Sequence, residues 1–266
     1  MKRIFSFLLF VSVVSFVTAQ GRMAKVVGEE ISYKSADGTV LKGYVAYDEA
    51  KKGKRPAIVV IHEWWGCNDY VRQRADMLAG LGYIAIAADM YGGGKEGPTP
   101  DEAGKLAAPF YKDPALVKER IEAAVNKVKE YEQTDAAQMA CIGYCFGGSM
   151  SLTAAKLGMD FKGVVSFHGG LAGVPAEPGA TKAKILVCHG AADKFISDAE
   201  LKNFRHNLDS VHADYKFISY PGAVHAFSNP EATALGKKFK IPIEYNAAAD
   251  KKSWSDMQAF FKTIFK

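Results

Sequence analysis

Two rhythms of apolar and polar residues divide the chain. Residues 26–33 and 41–47 alternate with a period of two, as half-buried strands do, and Asp37-Gly38 between them carries a hairpin turn. Beyond residue 56 the apolar stretches become short and continuous, at 57–61, 83–88, 138–144, 163–167, 184–189 and 215–220. Stretches of that kind belong to strands covered on both faces. Segments of helical spacing run between them: 70–81 (closed by Gly82), 112–133, 146–157 (closed by Gly158), 198–208 and a final helix at 251–265. Strands alternating with helices predict an α/β fold. Its central sheet is mostly parallel, with helices on both faces and the opening hairpin as an antiparallel edge. The Gly/Pro-rich residues 92–100 read as a loop after a strand. No repeat or low-complexity linker interrupts residues 20–266, which read as one domain.

The first residues follow a different logic. Lys2 and Arg3 precede an apolar stretch at 4–17, and Thr18, Ala19 and Gln20 follow it. The stretch has the length of a signal-peptide core and falls short of the roughly 20 residues a bilayer requires. Val17 and Ala19 supply the small residues of a cleavage site. The expectation is a signal peptide at 1–19 and a mature protein exported to a periplasm or secreted. An uncleaved anchor is the competing reading.

Composition narrows the class. With 48% hydrophobic and 24% charged residues in a chain of 266, disorder, a collagen-like repeat and a small disulfide scaffold are excluded. The net charge of +5 falls to about +3 without the leader, and no clustered basic face suggests nucleic acid. Lys51, Lys52, Lys54 and Arg55 flank Gly53 and Pro56 and read as a solvated loop. Export invites disulfides among the four cysteines. However, Cys141 and Cys145 on one strand would stand about 13 Å apart, beyond the roughly 7 Å that a bridge spans. A metal pair there fails for the same reason. Cys188 reads as a core residue, and Cys67 lies in a loop.

In parallel sheets, ligands bind beyond the carboxyl ends of the strands. Gly143-Tyr144-Cys145-Phe146-Gly147 sits between a strand and a helix, which is the nucleophile-elbow pattern with Cys in place of the commoner Ser. The sharp turn needs both glycines, because a side chain at either would collide with a neighbouring element. The helix start favours thiolate at Cys145. The elbow calls for an acid and then a histidine, in that chain order. Asp193 follows the strand at 184–189, and His225 follows the strand at 215–220. His225 then serves as base and Asp193 fixes its tautomer. The Phe146 N–H, next after the nucleophile, is an oxyanion donor. His62-Glu63 opens a zinc-helix pattern whose second histidine would fall at Gly66, so no metal and no cofactor are expected. His168 and His189 end strands and line or support the pocket floor.

With these residues in view, the sequence resembles the dienelactone hydrolase family, a cysteine-using branch of the α/β-hydrolases. The resemblance rests on His62-Glu63-Trp64-Trp65-Gly66, Asp89-Met90-Tyr91, the Cys145 elbow, Asp193 and His225-Ala226-Phe227. It implies the α/β-hydrolase fold, with Cys145 as nucleophile, His225 as base and Asp193 as its orienter. It further implies that Glu63 takes part in activating the nucleophile and that the Trp64 N–H joins that of Phe146 in the oxyanion hole. Trp65, Tyr91, Lys105, His168, Phe227 and Asn229 are the pocket candidates. Two departures stand out. Asn229 occupies the place of an arginine that binds the substrate carboxylate in dienelactone-cleaving members, and Lys105 is the sole basic residue where a second arginine is expected. A neutral amide does not replace a bidentate guanidinium. The expectation is a monomeric hydrolase of small esters or lactones. An esterase or thioesterase of another substrate class (acetyl, carbohydrate, or activated aryl or phosphate esters) and a catalytically silent binding protein are the alternatives.

Overall fold

The computed structural model describes residues 11–17 and 23–266. Among the described residues nine strands form one sheet, ordered β1-β2-β3-β5-β4-β6-β7-β8-β9. The first three are β1 (Val11–Val17), β2 (Met23–Lys34) and β3 (Val40–Asp48). They are joined antiparallel, and β3 also runs antiparallel to β5 (Ile84–Ala88). From β5 onward every pairing is parallel, through β4 (Arg55–Ile61), β6 (Thr134–Tyr144), β7 (Gly163–Phe167), β8 (Lys184–Gly190) and β9 (Tyr215–Tyr220). The expected hairpin is β2–β3. It is not the sheet edge, because β1 lies outside it. β1 falls within the apolar stretch read as a leader, and the proposed cleavage point at Ala19 lies outside the described residues.

Alternation along the buried strands sorts the core into two layers. Ala57, Val59 and Ile61 of β4 face one layer, and Ile58 and Val60 face the other. The first layer is covered by α2 (Pro100–Lys112), α3 (Pro114–Lys129), α4 (Phe146–Lys156) and α5 (Asp198–Ser210). The second is covered by α1 (Asp69–Gly80) and α7 (Ala247–Ile264). Both faces of each central strand are thus dry, which explains their unbroken apolar runs. A small third cluster gathers Trp65, Ala226 and Ile243 with Leu235 and Phe239 of α6 (Ala232–Phe239).

Three helices depart from the sequence expectation, one of them α6, where no helix is expected. The segment expected as a helix at 112–133 is α3 alone, capped by Asp113, whose carboxylate accepts the Ala115 and Leu116 N–H groups. Before it lies the unanticipated α2, which starts on Thr99 and Pro100 and tolerates Pro109 in its interior. Arg55 also differs. It is buried, its guanidinium donating to the carbonyls of Asp48 and Lys51, and is not part of a solvated run.

The strand order reverses at β4, with β5 on one side and β6 on the other. That reversal opens a crevice at the carboxyl ends of β4 and β6. Glu63 and Cys145 follow those two ends.

Candidate active site

Cys145 caps α4 with φ 53° and ψ −115°, a backbone conformation that L-residues rarely adopt. Neighbours enforce the strain. A Cβ on Gly143 would stand 2.0 Å from the Gly147 carbonyl oxygen, and one on Gly147 would stand 2.2 Å from that of Ile61. Strand and helix therefore approach closely enough to lift the thiol above the sheet.

From below, the Cys145 N–H is shared between the Phe167 carbonyl (3.0 Å) and His168 Nδ1 (3.1 Å). An Nδ1 that accepts leaves Nε2 as the protonated nitrogen, and it donates to Ser228 Oγ at 2.7 Å. Burial, and then the nearby His225 and Arg74 charges, hold the His168 imidazole neutral, well below its usual range. Ser228 joins Tyr70 at 2.8 Å, and its carbonyl accepts from Arg74, which also pairs with Asp250 of α7 at 2.7 Å. The elbow thus rests on a closed polar chain. His168 is a support and not a pocket wall, being fully buried.

His225 Nε2 lies 3.0 Å from Cys145 Sγ, and Nδ1 donates to Asp193 Oδ2 at 2.8 Å. The other Asp193 oxygen accepts the Phe195 N–H at 2.9 Å. Burial acts to lower the imidazolium pKa. A negative charge on Cys145, the Asp193 and Cys145 hydrogen bonds and the Asp193 charge outweigh burial and hold it at about 10.

The N–H groups of Trp64 and Phe146 have no hydrogen-bond partners among the described residues. The Glu63 carbonyl accepts from His62 Nδ1 and from the Gly66 N–H. In a trans peptide the N–H points the opposite way, so that of Trp64 is directed away from His62 Nδ1 and the Gly66 N–H. The Tyr91 hydroxyl holds the Trp64 carbonyl at 2.9 Å. The Cys145 carbonyl accepts the Ser149 N–H at 3.2 Å, which leaves the Phe146 N–H at the open helix start.

Glu63 is buried. Asn229 Nδ2 donates to its Oε2 at 2.6 Å, and its Oε1 has no partner among the described residues. Burial pushes its carboxyl up to about 7, against the Asn229 hydrogen bond and the His225 and Arg74 charges. The native state therefore keeps a proton that the unfolded chain releases near pH 4.5. Stability drawn from this residue is present below that pH and is lost as pH rises towards 7. Glu63→Gln is expected to match the unaltered protein below about pH 4.5 and to exceed it by about 3 kcal/mol above pH 7. Urea denaturation across pH checks this, and equal stability at both ends would refute it.

A cavity of about 230 Å³ is lined by Cys145, His225, Glu63, Trp64 and Trp65. Tyr111 and Phe195 stand at its mouth, 57% and 51% exposed, and the Phe195 ring packs 4.9 Å from that of His225. Gly170, Ile196, Glu200, Ala226, Ile241 and Ile243 complete the wall. Among the described residues no lysine or arginine lines it. Of the pocket candidates only Trp65 does. Tyr91 fixes the Trp64 peptide, Phe227 packs beneath His168 (ring centroids 5.1 Å), and Asn229 holds Glu63. Lys105 lies on the outer face of α2, 73% exposed and paired with Asp101 at 2.6 Å. Gly170, three residues beyond β7, was accessible to the strand-end rule, whereas Ile196 lies six residues beyond β8, just before α5. Tyr111 comes from the unanticipated α2.

All four cysteines are free. Burial raises the thiols of Cys67, Cys141 and Cys188, while Cys145 alone is partly exposed. Among the described residues no cluster of three potential ligands could hold a metal ion, and no helix is long and apolar enough to cross a membrane.

The statistical profile of the dienelactone hydrolase family matches residues 41–265, from β3 to the end of α7. The chain belongs to the dienelactone hydrolase family. It is accordingly a hydrolase-family protein with the α/β-hydrolase fold. An uncharacterised protein of Caenorhabditis elegans is 33% identical over 171 residues, 63% of this chain and 99% of that one. An Aquifex aeolicus protein provisionally named carboxymethylenebutenolidase is 27% identical over 246 residues, 90% of this chain and 100% of that one. Among solved structures, a dienelactone hydrolase-like promiscuous phosphotriesterase from metagenomic libraries superposes with a TM-score of 0.83 at 31% identity. That match covers 91% of this chain and 99% of the other. Asn229 is committed to Glu63, and Lys105 to Asp101.

Proposed function

We propose that the protein hydrolyses small uncharged esters and lactones with Cys145 as covalent nucleophile. The observation that carries this reading is the Sγ–His225–Asp193 relay on a strained elbow beside two unpartnered N–H groups. The Cys145 thiolate attacks the carbonyl carbon, and the electron pair displaced onto oxygen is received by the Trp64 and Phe146 N–H groups. Each such donor is typically worth about 3–4 kcal/mol. The adduct collapses, the C–O bond breaks, and the His225 imidazolium gives its Nε2 proton to the departing alkoxide. The resulting thioester is attacked by water, whose proton returns to Nε2, and thiolate leaves as the carboxylic acid forms. Amides are poor substrates, because thiolate leaves the tetrahedral adduct more readily than amine does.

The absence of lysine and arginine from the described residues of the cavity wall supports uncharged acyl groups over a dienelactone carboxylate. A second reading is favoured by the likeness to the promiscuous phosphotriesterase: the same sulfur attacks the phosphorus of a neutral triester. The protein acts as an exported monomer, the leader at 1–19 directing it to a periplasm or the exterior. The test is turnover of a short-chain aryl ester, a dienelactone and an aryl dialkyl phosphate by the reduced mature protein. The aryl ester is expected to be the fastest, and equal rates with Cys145→Ala would overturn the proposal.

A further inference from the structure

A second cleft, of about 480 Å³, shares Glu200 with the catalytic cavity but takes no part in the relay. Leu171, Val174, Pro175 and Phe204 give it apolar walls. Lys156, the last residue of α4, lines it while only 5% exposed. Among the described residues no carboxylate or other acceptor pairs with this lysine. Its Nζ instead stands 5.2 Å from the centroid of the Phe204 ring. An ammonium taken out of water without a counter-ion is costly, and burial pushes the Lys156 amine down to about 8.

The other donors converge on the same space. Ala199 lies in the first turn of α5, whose N-cap Ser197 accepts the Glu200 N–H at 3.2 Å. The Asp198 and Ala199 N–H groups have no partners among the described residues, and a helix start of this kind attracts anions. Asn207 uses its carbonyl oxygen for the Ala176 N–H at 2.8 Å, which leaves its amide N–H₂ to donate. Glu200 is the one carboxylate on the wall, and its Oε1 is held by the Leu171 and Ala172 N–H groups, each at 2.9 Å.

We infer that this cleft binds a small monocarboxylate with an apolar body, its carboxylate between Lys156 and the start of α5 and its chain against Leu171, Val174 and Phe204. The anion supplies the counter-ion that the buried lysine lacks. The site is independent of the proposed reaction.

Calorimetric titration with hexanoate tests it, using protein whose Cys145 has been alkylated with N-ethylmaleimide to fill the catalytic cavity. Binding is expected at about pH 6.5 and is weakened at least tenfold in Lys156→Met. In the unaltered Lys156 protein, affinity falls roughly tenfold or more by about pH 9.5, as the ammonium loses its proton. Of the charged groups facing Lys156 across the cleft, Glu200 of α5 is the other; none lines it from α4 or from residues 171–175. The pH series decides the matter even if Lys156→Met does not fold. Absence of binding at about pH 6.5, binding indifferent to pH and to Lys156→Met, or binding abolished by the Cys145 adduct would each overturn the inference.

Discussion

Cys145→Ala is expected to lower kcat/KM for a short-chain aryl ester by roughly 10⁴-fold or more. The substitution removes the sulfur and little else. The positive-φ turn is imposed by the close packing of Gly143 and Gly147 and by the shared N–H contact to Phe167 and His168, none of which involves the thiol. The Trp64 and Phe146 N–H groups also remain. A small residual rate from these donors and from binding is therefore expected, while the covalent route is closed. The variant should fold as the parent does, and thermal melting of both proteins separates loss of chemistry from loss of structure.

The second large effect is at Asp193. Each of its oxygens accepts one hydrogen bond, Oδ2 from His225 Nδ1 and Oδ1 from the Phe195 N–H. An asparagine has one oxygen to offer. If that oxygen serves Phe195, the amide N–H₂ faces Nδ1 and forces the tautomer whose Nε2 already carries a proton. If it serves His225, two donors oppose each other at Phe195. The first arrangement avoids a buried clash and so prevails, leaving an imidazole unable to take a proton from the thiol or from water. Asp193→Asn is expected to reduce kcat by roughly 10³–10⁴-fold. It also removes a hydrogen bond and a charge that raise the His225 imidazolium. The alkaline limb of the residual activity therefore moves to lower pH, and a pH–rate profile of the variant checks the direction. An unchanged limb would mean that the Asp193 contact does not tune His225.

The order elbow, acid, histidine was legible in the chain because each member lies in the segment that follows an apolar strand, and strand ends are the positions that a parallel sheet gathers at one rim. Glu63 was legible only as the second residue after β4. Its burial, its unpartnered oxygen and its hold on Asn229 depend on packing between segments 166 residues apart. The pocket was legible least. Phe227 is two residues from His225, and Tyr91 and His168 follow the ends of β5 and β7, but strand alternation and the tight turns direct them beneath the site, where they brace the Trp64 peptide, the sheet end and the elbow. The wall that replaces them comes from α2 and from residues 241–243, elements whose packing no local periodicity encodes. Thr99-Pro100-Asp101-Glu102 is nonetheless a helix-start signal. Pro109 and the glycines of 92–97 obscured it.

The covalent role of Cys145 is tested most directly by the mass of the intact protein, acid-quenched during turnover of an aryl ester and then mapped to its peptides. The mechanism predicts one acyl group on the peptide containing Cys145 and none in Cys145→Ala. Steady turnover with the acyl group on another residue, or undiminished turnover by Cys145→Ala, would contradict it.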